Sequence, residues 1–171
     1  MTLSGGRFII QMMSDDTEDR FDQIRAKGEE MIRRHGWMVQ SVSPTQEQPG
    51  ISYNYSIGLH AKGLPEILVI GLPLQIGHAL VNDIVKLVMA RKTMGSTFVG
   101  DIAHPKWPTH FFLIEAQSDK AAEYALGADA RSDGVAKYIQ IVWPDKEGRF
   151  PWNPDATPEF RDAQPVLGAV A

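Results

Sequence analysis

Phe21, Ile24, Met31 and Ile32 recur at the three-and-four spacing of one helix face, with Gly28 in the same register. Ser14-Asp15-Asp16-Thr17 precede them, and short polar side chains of this kind accept hydrogen bonds from the free N–H groups of a first helical turn. Glu18 and Asp19 follow, where the helix dipole favours acids. Arg33, Arg34 and His35 fall in the last turn, and Gly36 is placed to end it. The pattern predicts an amphipathic helix over about 16–35.

From Ile51 the period changes to two. Ile51, Tyr53, Tyr55, Ile57 and Leu59 share one face, and Ser52, Asn54, Ser56 and Gly58 share the other. This predicts a strand whose small polar face meets water or lines a pocket and whose tyrosines pack in a core, their hydroxyls reaching polar partners. Trp37–Ser43 and the β-branched run Glu66–Ile70 read as further strands, together an antiparallel meander. Gly71-Leu72-Pro73 opens a second helix, about 74–92, with Ile76, Leu80, Ile84, Leu87 and Val88 as its buried stripe. Thr97–Ile102 and His110–Glu115 read as strands, Asp119–Leu126 as a short helix, and Lys137–Trp143 as the last strand. From Pro144 onward five prolines predict irregular, surface-running backbone anchored by Trp152 and Phe160.

Strands cluster instead of alternating with helices, which predicts an α+β fold. The expected domain spans 14–171, with a mainly antiparallel sheet of about six strands, two longer helices, one short helix and a Pro-rich tail from about 144. Residues 1–13 are expected to form a flexible leader. The length, 171 residues, suits one domain with a real core. Hydrophobic residues at 43% and charged residues at 22% exclude wholesale disorder. A net charge of −4 argues against bulk electrostatic binding of nucleic acid, and Lys86, Arg91 and Lys92 read as a dipole-compatible helix end. The absence of cysteine excludes disulfides, thiolate catalysis and Cys-type zinc sites. Without a long apolar run or a secretory signal, the expectation is a cytoplasmic protein with no membrane partner.

Candidate chemistry is dispersed. His104 and His110 flank a loop stiffened by Pro105 and Pro108, which rules out the helical presentation of a metal pair; no metal site is expected, and no motif names a cofactor. Gly71 and Gly77 flank a strand-to-helix turn that lacks the remaining glycines of a dinucleotide fingerprint. The segment Trp143–Trp152 joins two indoles to Asp145 and Arg149. Its residues suit a clasp, Asp145 pairing with Arg149 to close a turn, or a grip on a planar or anionic ligand. Glu66, Glu115 and Asp101 are candidate general bases if buried near it.

Several stretches carry a resemblance. They are Gly36-Trp37, Tyr55-Ser56-Ile57-Gly58-Leu59, Leu64-Pro65-Glu66-Ile67, Gly71-Leu72-Pro73, the Trp143–Trp152 run and Gln164-Pro165-Val166-Leu167-Gly168. In this order they resemble a mainly bacterial family designated domain of unknown function 4262. The resemblance implies a compact bacterial domain of this length and no particular activity. Relatives tend to carry a histidine where this chain has Leu64, so any role of that histidine is missing here. The shared Gly, Pro and Trp residues more often fix backbone and packing than perform chemistry.

Two functions follow. The first is a small-ligand-binding domain, with catalysis left open, whose pocket would unite Tyr55, Glu66, His104, His110, Trp143, Asp145, Arg149 and Trp152. The second is a protein-interaction or homodimerisation module in which the tail and its aromatic residues make the contact.

Overall fold

The structure, a computed structural model, describes residues 5–92 and 98–170. The chain divides into two compact units, Met1–Met38 and Val39–Ala171.

The first unit is built on α1 (Gly5–His35). The helix ends as its sequence predicts: Gly36 adopts φ 88° and its N–H donates to the Ile32 carbonyl at 2.7 Å. Its beginning differs. Helical backbone already starts at Gly5, so Ser14–Thr17 lie inside the helix and do not cap it. No proline or glycine interrupts Arg7–Lys27, and polar residues alone do not stop a helix that can continue upstream.

The second unit is an α+β fold around a six-stranded mixed sheet. Its strands are β1 (Met38–Val42, whose first residue belongs to the first unit), β2 (Tyr53–Ile57), β3 (Glu66–Ile70), β4 (Gly100–Ala103), β5 (His110–Ala116) and β6 (Tyr138–Val142). They run in the order β1-β2-β3-β6-β5-β4. β2/β3, β6/β5 and β5/β4 are antiparallel, whereas β3 and β6 are parallel, Glu66 lying beside Tyr138 and Leu68 beside Gln140. The start of the strand expected from Thr97 lies outside the described residues. The helices are α2 (Leu74–Lys92), α3 (Ser118–Tyr124), α4 (Leu126–Arg131) and α5 (Pro158–Ala163). The single short helix expected near 119–126 is thus a pair, and a further one forms in the tail, where Pro158 occupies its first turn and the Thr157 hydroxyl accepts from the Phe160 N–H.

Register sorts the sheet into two faces. One carries Asn54, Ser56, Ile67, Val69, Leu113, Ile139 and Ile141, and α2 lies against it through Leu80, Ile84 and Val88. The other carries Tyr55, Leu68, Ile114, Tyr138 and Gln140, and is covered by α4 and the C-terminal segment.

The small polar face of β2 is therefore buried, not solvated: Asn54 and Ser56 are fully inaccessible. Their smallness lets α2 approach, and a Cβ on Gly77 would stand 2.1 Å from Asn54 Oδ1. The Asn54 amide donates to Ser41 Oγ (2.6 Å) and the Leu74 carbonyl (3.2 Å), which satisfies its donors inside the packed layer. Tyr55 on the opposite face accepts the Gly127 N–H at 3.2 Å, as its reading as a core tyrosine requires.

The C-terminal segment is bound by two reciprocal amides. The Gln140 side chain donates to the Pro165 carbonyl (2.7 Å) and accepts from the Leu167 N–H (2.8 Å). The Gln164 side chain accepts from the Trp143 N–H and donates to its carbonyl, both at 2.8 Å.

Candidate functional site

The eight residues expected to share a pocket fall into separate groups, with Asp145 and Arg149 joined directly. Glu66 opens β3, and the Trp143 indole N–H donates to Ile70 at its other end (2.8 Å). Four residues of extended chain, about 13 Å, separate these ends. His104 and His110 sit around the β4–β5 connection, and their partners differ. His104 Nδ1 accepts from the Lys106 N–H at 3.2 Å, and His110 Nδ1 lies 2.9 Å from the Asp101 carboxylate. Glu115 and Asp101 are exposed. Between these histidines, Lys106 and the Trp107 indole both donate to the buried Asp83 on α2. Burial alone would raise that carboxyl, but these donors hold it below the usual range.

Trp143–Trp152 forms the clasp. Asp145 Oδ1 accepts from the Glu147 and Arg149 N–H groups (2.9 Å each), and the Arg149 guanidinium donates to Oδ2 at 2.8 Å. Phe150 stacks on Trp152, and Phe112 meets both rings edge-on. The guanidinium is spent on Asp145 and Glu147. Trp143 packs on Phe160 and borders the Cα of Gly71.

Glu66 is buried and surrounded by donors. Oε2 accepts from the Ser56 hydroxyl (2.6 Å), and Oε1 from the N–H groups of Gly58 (2.9 Å) and His60 (3.1 Å). Burial pushes this carboxyl up, against the pull of those hydrogen bonds. Beside it, Tyr138 is buried with no hydrogen-bond partner for its hydroxyl among the described residues, and burial, helped by Asp129 and Glu66, raises it to about 12. The cavity next to Glu66 measures about 40 Å³, room for water-sized molecules and nothing much larger. Glu66 works as a cap for the turn between β2 and β3.

A larger space opens one step along the same face of β2. A cleft of about 350 Å³ lies between the 42–51 connection and the end of α3, lined by Val42, Pro44, Pro49, Tyr53, Glu123 and Tyr124 among others. Two-residue alternation carries Tyr53 onto the face of Tyr55, whose ring stacks at 6.3 Å, and α3 brings Tyr124 edge-on to Tyr53 at 5.1 Å. Both phenols are raised by burial; Glu123 adds to the effect on Tyr124. Tyr53 was legible only as a core residue, and nothing local to Glu123 or Tyr124 marks them. The signal available was weak: an aromatic residue late in a short helix, and a Pro/Gln-rich connection entering the β2 strand.

The family described as Domain of unknown function (DUF4262) matches residues 31–157. The chain belongs to this family. DUF4262 membership covers the whole sheet, the tyrosine cleft and the Asp145–Arg149 clasp, and stops before α5. No curated protein and no solved structure matches the chain. Among the described residues no helix is long and apolar enough to cross a membrane, and no three His, Asp or Glu side chains gather as a metal site would need.

Proposed function

We propose that this protein is a small-ligand-binding domain and that the ligand occupies the cleft between the 42–51 connection and Tyr124. The observation that carries this reading is size joined to chemistry. At about 350 Å³ the cleft falls in the range of small-molecule sites, and it combines apolar walls with a few polar groups, whereas the cavity at Glu66, about 40 Å³, lies far below that range. The rigid sheet fixes Tyr53, and the Pro44 and Pro49 connection supplies the opposite wall.

A fragment library titrated into the full chain and followed by NMR tests the reading. Binding fragments should shift the signals of Ile51, Tyr53 and Tyr124. Fragments that bind elsewhere, or none that bind, would refute it.

A second reading, a protein-interaction module, rests on exposed apolar side chains. Phe21 and Ile24 on α1 are 62% and 58% exposed, and Trp152 in the tail is 38% exposed.

A further inference from the structure

The walls of the tyrosine cleft also bear on the charge of its ligand. Among the described lining residues are two phenol rings and one carboxylate, and no lysine, arginine or histidine. Tyr53 and Tyr124 meet edge to face, with ring planes at 90° and centroids 5.1 Å apart, so the edge of one covers the face of the other and the ring that supplies the edge keeps its own face clear of that contact. The face of each ring carries the negative part of its quadrupole. Glu123 adds a full negative charge at the same end, and it is exposed, so it is free to turn toward a guest. Val42, Pro44, Pro49 and Ile51 contribute apolar surface suited to methyl or methylene groups, and Ser43 and Gln48 contribute polar groups at the edge. An anion would meet the carboxylate and the ring faces with no compensating cation. A neutral guest would gain apolar contact and hydrogen bonds at the edge, but nothing from the charge of Glu123. A cation with a hydrocarbon coat gains from every wall, because a diffuse ammonium is weakly hydrated and is attracted to ring faces.

Resting on the ligand-binding reading, we propose that the cleft selects organic ammonium ions, with the cationic centre in the Tyr53–Tyr124 corner and its charge facing Glu123. Selection is thus electrostatic, and shape alone does not account for it.

The experiment compares choline with 3,3-dimethyl-1-butanol, which has the same shape with carbon in place of the charged nitrogen. Each is titrated into the full chain while the aromatic signals of Tyr53 and Tyr124 are followed by NMR. Choline should shift both rings and bind about tenfold tighter than the neutral isostere, the ratio expected of a cation held by aromatic faces and a carboxylate. Glu123→Gln should weaken choline several-fold and leave the isostere unchanged; the exposed position makes misfolding of this variant a minor concern. Equal affinity for the two compounds, tighter binding of benzoate than of choline, or fragments that occupy the cleft while choline does not, would overturn the ammonium inference and leave the ligand-binding reading standing. A cleft that takes up no compound of any charge would overturn both.

Discussion

Glu66 shows how a buried acid serves structure. Its carboxylate supplies the acceptor for the N–H groups of Gly58 and His60 and for the Ser56 hydroxyl, and Ser56 Oγ in turn accepts from the Ile67 N–H at 2.8 Å. Glu66→Ala strands these donors in a buried turn and should cost about 2–4 kcal/mol, the range for losing several buried hydrogen bonds to one group. Glu66→Gln keeps an oxygen for the N–H groups and turns its amide toward Ser56, so its cost near neutral pH should be much smaller. The two variants separate packing from charge. Burial raises the folded-state pKa above the ordinary 4.5, so above that value the folded chain holds a proton that the unfolded chain has released. The stability this gives is full below 4.5 and is lost as pH rises through the folded value. Urea denaturation across pH should therefore show parental stability falling, relative to Glu66→Gln, over the interval just above 4.5. Parallel profiles for the two proteins would refute this account.

At the level of elements, α2 packs on β2 through a glycine. The Cα of Gly77 faces Asn54 Oδ1, and an added Cβ would also reach 3.3 Å from Val69 Cγ1. The neighbouring atoms belong to buried side chains that cannot swing away, so Gly77→Ala should push α2 off the sheet and cost about 1–3 kcal/mol despite alanine's better helix propensity. A lower urea midpoint with an unchanged slope is the expected result; a higher midpoint would mean that the layer yields. The same contact explains what could be read in the chain. The apolar stripe of α2 and the two-residue period of β2 were plain in sequence, because each depends on neighbours a few residues away. Alternation shows that two faces of a strand differ, but it does not say which one meets water. The small polar face of β2 was open to a solvated reading until α2 was seen to rest on it. The parallel pairing of β3 with β6 was beyond local pattern, since Glu66 and Tyr138 meet only after α2, β4, β5, α3 and α4 have been threaded between them. The cleft was hidden for the same reason. Tyr53 and Tyr124 come from distant stretches, and their meeting is a property of the sheet and the α3 position. The Asp145–Arg149 clasp, by contrast, is made within five residues and was legible as one of two readings.

Across the whole second unit, the sheet and the C-terminal segment hold each other by exchanging side-chain amides. Gln140 projects from β6 to the backbone of Pro165 and Leu167, and Gln164 projects from the segment to the backbone of Trp143, just past the end of β6. Both glutamines are fully buried, so each amide replaces water for two backbone groups that would otherwise go unsatisfied. The fit continues on either side, where a Cβ on Gly168 or Gly71 would approach the Glu115 or Ala163 carbonyl oxygen to 2.1 Å. Gln140→Leu or Gln164→Leu orphans two buried or half-buried backbone groups while keeping similar bulk, and each should cost about 1–4 kcal/mol. The two costs should not add. Both pairs of bonds restrain one segment, and once the first substitution lets it lift, water reaches the groups the second would have stranded. The double variant should therefore lose clearly less than the sum of the singles, with a coupling of about 0.5–3 kcal/mol in urea denaturation. Hydrogen exchange supplies the physical counterpart, since either single substitution should release protection at both the Trp143 and the Leu167 amides. Additive costs with release confined to the mutated end would mean instead that the two clamps act independently and that α5 holds the segment between them. Coupled costs would make the last residues of the chain part of the fold's cooperative core, although the strands that define the sheet all precede them.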